Sequence, residues 1–424
     1  MKTFKTVNIG CKVNAYELSA IASLLLKEGF IENSEHPDVI IINTCSVTAT
    51  ADQKSRQHIR KMQKLYPNAV IAVMGCYVQG NCKFIQEEIK PDILLGTSHR
   101  REVVTLIKKA LMDKGKYLII DEDTRSFSYE ELGITSHSEN IRAFLKIQDG
   151  CNNFCTYCIV PFLRGKMRSR NKENVIKEAE YLISKGYKEI VLSGIHVGGY
   201  GQDLISGSFS SLVEELSDLP GLNSLRISSI EESEIDDHLI QLLIEKDNLA
   251  KHLHIPLQSG SNRLLKLMNR RYDRESFIKR ILEIKELVPD ILISSDVIVG
   301  FPSENEEDFM DTYHLCEQCF DMLHVFSYSA RPGTIAAKMD GRVHPSLKKE
   351  RSKRLIELSN KLYQNYANRF VGKPIKVLIE KYDQKEKVNI GHTTNYLEVK
   401  IPSKESKVGQ FITIKLQKSM IQSK

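Results

Sequence analysis

The sequence predicts an α/β protein with an open parallel sheet at the N-terminus, a partial (β/α)6 barrel in the centre and a small antiparallel β-barrel at the C-terminus. Three observations predict it. The runs TVNIGC, VIIINTC and VIAVMGC end at Cys11, Cys45 and Cys76, each followed by a helix-like stretch, at separations of 34 and 31 residues. Those intervals suit successive βαβ units, which need about 30 residues each. From Ile141 a second alternation begins, with strand candidates AFLKIQDG, EIVLSG, SLRISSI, HLHIPLQ, ILISSDVIVG and MLHVFSYS between helix-like segments. The final stretch, KPIKVLIEKYDQ, NYLEVKIP and GQFITIKLQ, alternates apolar and polar residues across turns, the pattern of a small antiparallel barrel.

In the first unit the apolar face of Tyr16–Leu26 predicts one helix, and ADQKSRQHIRKMQKLYPN predicts another that stops at Pro67 and Asn68. Each cysteine then lies just beyond the carboxyl end of a strand. In open α/β sheets that edge is where ligands bind, so three cysteines delivered there can converge on one object. A Rossmann-like domain over residues 1–115 follows. Residues 116–138 read as a short strand and a polar, Ser/Thr-rich linker, with a boundary near His137. Six β/α units in the region 139–369 imply a partial barrel, since a complete eight-fold one needs about 250 residues. Its polar or glycine-containing segments DGC, SGIHVGG, SSIEE, QSGS, GFP and SARPG follow the strands, the edge where such barrels do chemistry. Residues 370–424 form the last domain.

With 424 residues, 41% hydrophobic and 27% charged, the chain is long enough for two or three cores. MKTFKTVNIGCKVN lacks the apolar stretch of a secretory signal, and no apolar run approaches the ~18 residues of a membrane span. A cytoplasmic monomer with no membrane partner is expected. Six of the nine cysteines fall into two organised groups, which favours metal or catalysis over disulfides. Net charge is +6, yet residues 338–424 hold 20 Lys and Arg against 8 Asp and Glu. A polyanion suits such a tail, because neutralising phosphates releases counterions; a solvated terminal surface is the plainer alternative.

Cys151, Cys155 and Cys158 in CNNFCTYC are spaced C-x3-C-x2-C after a strand. Four thiolates complete a [4Fe–4S] cluster, so three leave one iron open to another ligand, such as the amine and carboxylate of an amino acid. A structural zinc site would need a fourth ligand that the spacing does not supply. Cys11, Cys45 and Cys76 make a second trio and imply a second such cluster. Cys316 and Cys319 share one face of a helix-like run with no matching pair, and with Cys82 are expected to be ordinary helix residues.

CNNFCTYC resembles the cluster motif of the radical S-adenosylmethionine (SAM) superfamily. With GCKVNAYE, NTCSVTATADQKSRQ, GCY, KIQDGCNNFCTYCIVPFLRG, GIHVGGYG, RISSIE, HLHIPLQSGS, DVIVGFP and FSYSARPGTIAAKM, essentially the whole chain is similar to the methylthiotransferase family. GCKVN, KSRQ and the RPGT-x-AAKM ending resemble the branch that modifies N6-threonylcarbamoyladenosine (t6A) in tRNA; the branch acting on isopentenyladenosine has a GCQMN-type first block and the ribosomal-protein branch a GCPKN-type one. Glu232, Ser303, Asn305 and Ala15 depart from the branch pattern. The resemblance implies two [4Fe–4S] clusters and SAM as cofactors, conversion of t6A at position 37 to its 2-methylthio derivative, an electron donor of unspecified kind, and a C-terminal TRAM domain that binds RNA. It implies that Tyr157 packs along SAM, that Gly198 and Gly199 let backbone approach the methionine amine, that Ser229, Glu231 and Gln258 bond ribose or carboxylate, and that Ile298 to Gly300 hold adenine. A threonylcarbamoyl carboxylate asks for a cation, and Arg331 in SARPG is the candidate. Methylthiolation of isopentenyladenosine and a non-catalytic iron–sulfur RNA-binding protein are the alternatives.

Overall fold

A computed structural model describes residues 1–133, 141–205 and 207–422; the boundary expected near His137 lies outside the described residues. The first sheet consists of β1 (Thr3–Asn8), β2 (Ile31–Glu32), β3 (Val39–Thr44), β4 (Val70–Gly75), β5 (Ile93–Leu95) and β6 (Tyr117–Ile119). All are parallel, in the order β2-β1-β3-β4-β5-β6. The short strand expected at the start of the linker is β6, and it completes this sheet. Between the strands run α1 (Lys12–Lys27), α2 (Ala49–Leu65), α3 (Cys76–Phe84) and α4 (Glu102–Asp113). VIIINT of β3 is buried along its whole length, as a strand covered on both faces must be. One core packs Phe4, Ile41 and Met74 against α1 and α4; the other packs Ile40, Ile42 and Val73 against α2 and α3.

All six expected strands of the second alternation are present: β7 (Arg142–Lys146), β10 (Glu189–Ser193), β11 (Leu225–Ile227), β12 (His252–His254), β13 (Leu292–Val299) and β14 (Met322–Ser327). They form the parallel sheets β11-β10-β7 and β12-β13-β14, joined by parallel bridges at Leu225 with Leu249 and Ser229 with His254. The result is an arc of six strands, a partial barrel. Between β7 and β10, a two-residue ladder of β8 (Gln148–Asp149) and β9 (Arg168–Ser169) brackets α5 (Val160–Arg164), and α6 (Lys172–Ser184) follows. The outer layer continues with α7 (Phe209–Ser217), α8 (Asp237–Glu245), α9 (Asn262–Leu267), α10 (Arg274–Leu287) and α11 (Glu306–Cys319). These helices begin where side chains can cap them: Asn171 accepts from Asn174 N, Asp273 from Ser276 N and Asn305 from Asp308 N. Cys316 and Cys319 are fully buried in the apolar core between strands and helices, as ordinary core residues.

Helix α12 (Pro345–Asn368), with Pro345 at its first position where a missing N–H costs nothing, sends Leu355 and Leu358 into that core and Tyr363 and Tyr366 into another shared with the C-terminal sheet. That sheet is antiparallel, in the order β17-β16-β15-β18, from β15 (Pro374–Asp383), β16 (Val388–Thr393), β17 (Glu398–Pro402) and β18 (Phe411–Lys415). Strand β16, VNIGHT, was not among the three expected segments: its weak apolar character and internal Gly391 conceal it. A bridge between Val399 and Ile421 brings the end of the described chain back onto β17. Among the described residues no helix is long and apolar enough to cross a membrane.

Candidate active site

Strand order in the first sheet reverses between β1 and β3, the position where such sheets bind ligands. Cys11 and Cys45 stand at the carboxyl ends of these two strands, and Cys76 at the end of the neighbouring β4. Asn14 and Asn43 knit the three loops together. Cys11 N donates to Asn14 Oδ1 at 3.2 Å, Asn14 Nδ2 donates to Asn43 Oδ1 at 2.8 Å, and Asn43 Nδ2 donates to Asn14 O at 3.0 Å. Gly75 then passes at φ +104°, where a Cβ would lie 2.4 Å from Asn43 Oδ1 and 2.5 Å from Thr44 O; only glycine combines that dihedral with that approach. Hence the residue types in GCKVN, NTC and GC. Burial pushes the Cys45 thiol up to about 11, with Cys76 and Cys11 adding to the rise.

Cys151, Cys155 and Cys158 share one loop between β8 and α5. Phe154 takes a left-handed φ of 48°, and Cys158 N donates to Cys155 O at 2.9 Å, so the chain doubles back over eight residues. Burial raises the Cys158 thiol to about 12, reinforced by Cys155 and Cys151. Arg270 Nη1 lies 3.6 Å from Cys155 Sγ and also pairs with Glu231. His196 Nδ1 lies 3.9 Å from Cys151 Sγ while its other nitrogen pairs with Glu234 at 2.6 Å.

The two trios are joined by a buried ionic network that sequence reasoning missed. Arg164, six residues past Cys158, donates through Nε to Cys76 Sγ at 3.3 Å and through Nη1 to Glu17 at 2.8 Å and Asp149 at 3.1 Å. Glu17 also pairs with Arg100 at 3.0 Å and Lys146 at 2.9 Å, all at most 2% exposed. Burial alone would raise the Glu17 carboxyl, but Arg100, Arg164 and Lys146 hold it well below the usual carboxylate range. A signal existed: charged residues inside KIQDG and PFLRG, beside the cysteines, have no place in an apolar core unless paired.

The remaining expected residues are dispersed around the same edge of the barrel. Tyr157 and Ile298 pack in one apolar cluster with Leu264, Met268 and Phe301. Gln258 has φ +66°, and its backbone bridges to β13. Gly198 and Gly199 are buried, but the space beside each is taken: a Cβ on Gly198 would lie 2.2 Å from Glu234 Oε2, and one on Gly199 2.3 Å from Met167 Sδ. Ser229 is exposed at the end of β11. Arg331 is buried and its Nη2 is engaged by Asp52 at 2.6 Å and Ser46 at 2.9 Å, so it ties the loop after β14 to the Cys45 loop.

Among the described residues no three His, Cys, Asp or Glu are placed to hold a single metal ion. A four-iron cluster takes one thiolate per iron and spreads its ligands over a cage. Each trio suits that demand: three thiols, from the exposed Cys11 to the buried Cys45 and Cys76, with a guanidinium against one sulfur of each. Ser193 Oγ and Ser228 Oγ are buried without hydrogen-bond partners at the ends of β10 and β11, so polar capacity is left at the barrel edge for a bound cofactor.

Residues 145–316 match the radical SAM superfamily, and residues 3–96 match the "Uncharacterized protein family UPF0004". The chain is 42% identical, over 99% of its length and 94% of the relative's, to "Threonylcarbamoyladenosine tRNA methylthiotransferase MtaB" of Bacillus subtilis. The chain belongs to the radical SAM methylthiotransferases. It is 34% identical to the MtaB protein of Aquifex aeolicus, over 92% of this chain and 95% of that one. To "tRNA-2-methylthio-N(6)-dimethylallyladenosine synthase" of Thermoanaerobacter sp. it is 38% identical, over 96% and 88%. The fold is shared with the radical SAM methyltransferase TsrM of Kitasatospora setae: TM-score 0.60 at 14% identity, covering 80% of this chain and 77% of that one. As a radical SAM methylthiotransferase, the chain is an enzyme whose superfamily implies SAM and a [4Fe–4S] cluster.

Proposed function

We propose that this enzyme converts t6A at position 37 of tRNA to 2-methylthio-t6A, using a second [4Fe–4S] cluster held by Cys11, Cys45 and Cys76 beside the SAM-binding one held by Cys151, Cys155 and Cys158. The observation that carries this reading is Arg164, which emerges from the central cysteine loop and donates to Cys76 of the other trio. Two three-thiol sites fastened to each other suit a reaction in which sulfur and radical must meet at one carbon. When bound, the clusters and SAM supply reductive carbon–sulfur cleavage to a radical and storage of the sulfur to be transferred. The protein positions them. Arg270 steadies Cys155, the Asn14–Asn43 pair fixes the distance between the Cys11 and Cys45 loops, and the Glu17–Arg164 network excludes water from the seam. Tyr157 and Ile298 offer an apolar wall for SAM, with Gly198, Gly199, Ser229, Glu231 and Gln258 around it. Glu231 would serve there through its pairing with Arg270.

We assign residues 1–115 to the sulfur-bearing unit, 139–369 to the radical-forming unit and 370–424 to a TRAM-type RNA-binding domain. Lys373, Lys376, Lys404, Lys407, Lys415 and Lys418 are exposed on the last of these, the electrostatic footprint of a phosphate backbone. The t6A assignment is supported by the 42% identity to the Bacillus subtilis threonylcarbamoyladenosine enzyme, against 38% to the dimethylallyladenosine one, and by the GCKVN block. The test is anaerobic reconstitution with reductant, SAM and tRNA bearing t6A, followed by nucleoside mass spectrometry. Appearance of 2-methylthio-t6A is expected. Product only from isopentenyladenosine tRNA would reassign the substrate, and failure to cleave SAM at all would leave a non-catalytic RNA-binding protein.

A further inference from the structure

The interior of the barrel is unusual in its chemistry. Alternation sends Ala143 and Leu145, Ile190 and Leu192, and Leu225 and Ile227 out to the helical layer, so Arg142, Glu189 and Arg226 point inward. Barrel interiors are ordinarily filled by branched apolar side chains. This one is charged near the strand starts, where the C-terminal sheet forms its floor: Arg142 Nη2 pairs with Glu380 at 2.7 Å, and the Arg226 guanidinium stacks on Tyr396 at 4.9 Å.

Helix α1 crosses the open side of the arc along β7. Its Glu17 reaches Lys146 and its Tyr16 and Ala20 cluster with Phe144. On another face, Ala15 and Ser19 line a cavity of about 280 Å³ with Arg142, Ala143 and Phe144. Helical spacing puts Lys12 on the Ala15–Ser19 face. Lys12 is exposed to solvent and lies within electrostatic reach of Arg226, Arg142 and Glu189. Among the described residues it has no hydrogen-bond or ion-pair partner. Arg226 is 4% exposed and pairs with Glu189 at 2.9 Å, while its Nη1 is buried with no hydrogen-bond partner. Lys12, Arg142 and Arg226 thus face Glu189 and Glu380, and one positive charge is left over.

We propose that this inward cationic site binds the carboxylate of the threonylcarbamoyl group, with Lys12 as its specificity-determining residue and Arg226 Nη1 as a second donor. The inference deepens the proposed function and rests on it. Lys12 directly follows Cys11, so a carboxylate held by Lys12 brings its nucleotide to the N-terminal trio. Arg331, the cation expected for this role, has its Nη2 committed to Asp52 and Ser46. Arg226 Nη1, a buried donor with no partner, is costly to leave unmet, and a carboxylate is the ligand of matching charge and donor demand.

The test uses the holoenzyme and synthetic anticodon stem-loops carrying t6A, the methyl ester of its carboxylate, or unmodified adenosine, with affinity read by fluorescence anisotropy at fixed salt. Wild type should bind the t6A stem-loop about tenfold more tightly than the ester, the worth of one charge-assisted hydrogen bond. Lys12→Gln should abolish that preference with iron content intact, and Lys12→Arg should retain most of it. A wild-type enzyme indifferent to esterification, or a Lys12→Gln variant with the preference unchanged, overturns the site while leaving the t6A reading standing. If wild type neither prefers t6A over adenosine nor methylthiolates it, the substrate assignment itself falls and this site with it.

Discussion

The two cysteine trios are built in opposite ways. The central three stand on eight consecutive residues: a left-handed Phe154 and a short turn shape their loop, and Thr156 N, donating to Met268 O at 3.1 Å, and Asn269 Nδ2, donating to Phe154 O at 3.2 Å, tie it to the barrel. The N-terminal three span 66 residues of sequence and follow the ends of three strands, and the sheet register and the Asn14–Asn43–Gly75 contacts bring them together. A site assembled from a distance should be fragile in its scaffold. The local one should depend chiefly on its own loop.

The sharpest way to break that contrast is Arg164, which serves both. Replacing it with Met removes the guanidinium shared by Cys76, Glu17 and Asp149 and leaves Arg100, Lys146 and Arg168 to hold the two carboxylates, so the loss should sit at the low end of the about 3–5 kcal/mol that removing one partner of a buried ionic set costs. Arg164→Met should therefore lose stability of that order in chemical denaturation, and Arg164→Lys less. Wild-type stability in the Met variant would mean that the seam is hydrated and the network idle.

Gly75→Ala separates the trios. The added Cβ meets Asn43 Oδ1 and the Thr44 backbone at a dihedral that costs an L-residue about 1–3 kcal/mol. On the proposed two-cluster reading, iron per chain after reconstitution should fall from about eight toward about four, the content of a single cluster, while SAM-dependent spectral changes persist. Equal loss at both sites would show that the central loop also depends on the sheet.

The same contrast governs what the sequence could disclose. Strand-end cysteines at about 30-residue spacing showed the layer architecture, and all six barrel strands were legible because each runs from apolar residues into a polar turn. Hidden from sequence were the features that exist only after folding. Arg164 and Glu17 are 147 positions apart, and nothing local in either helix says that they meet. Arg331 reads as a turn arginine until β14 is set against the Cys45 loop. The Glu234 carboxylate occupies the space beside Gly198, a contact that no spacing rule foretells. Strand β16 was missed because its burial alternates around small and polar residues, Asn389, Gly391 and Thr393.

Acid sharpens the comparison further. The Glu17 carboxyl is held far down by three cations, so it contributes stability above the unfolded carboxylate value of about 4.3 and loses it as pH falls through the lower folded value. Unfolding free energy should stay level from neutrality to about pH 5 and then decline. Glu17→Gln, less stable at neutral pH, should decline more gently. Parallel curves for the two proteins would remove Glu17 from the seam's electrostatics.

The smallest effect belongs to Arg331. Its pair with Asp52 is nearer the surface, 13% exposed on the acidic side, and Ser46 remains to satisfy Asp52 at 2.7 Å when the arginine is gone. Arg331→Met should cost about 1.5 kcal/mol, the low end for a hydrogen bond to a charged group, and leave iron content unaltered. Because it joins the loop after β14 to the loop of Cys45, its removal should lower methylthiolation more than SAM cleavage: the radical still forms, but the sulfur site is held less firmly against the barrel. Parallel loss of both activities would place Arg331 in SAM binding instead of in the alignment of the two sites.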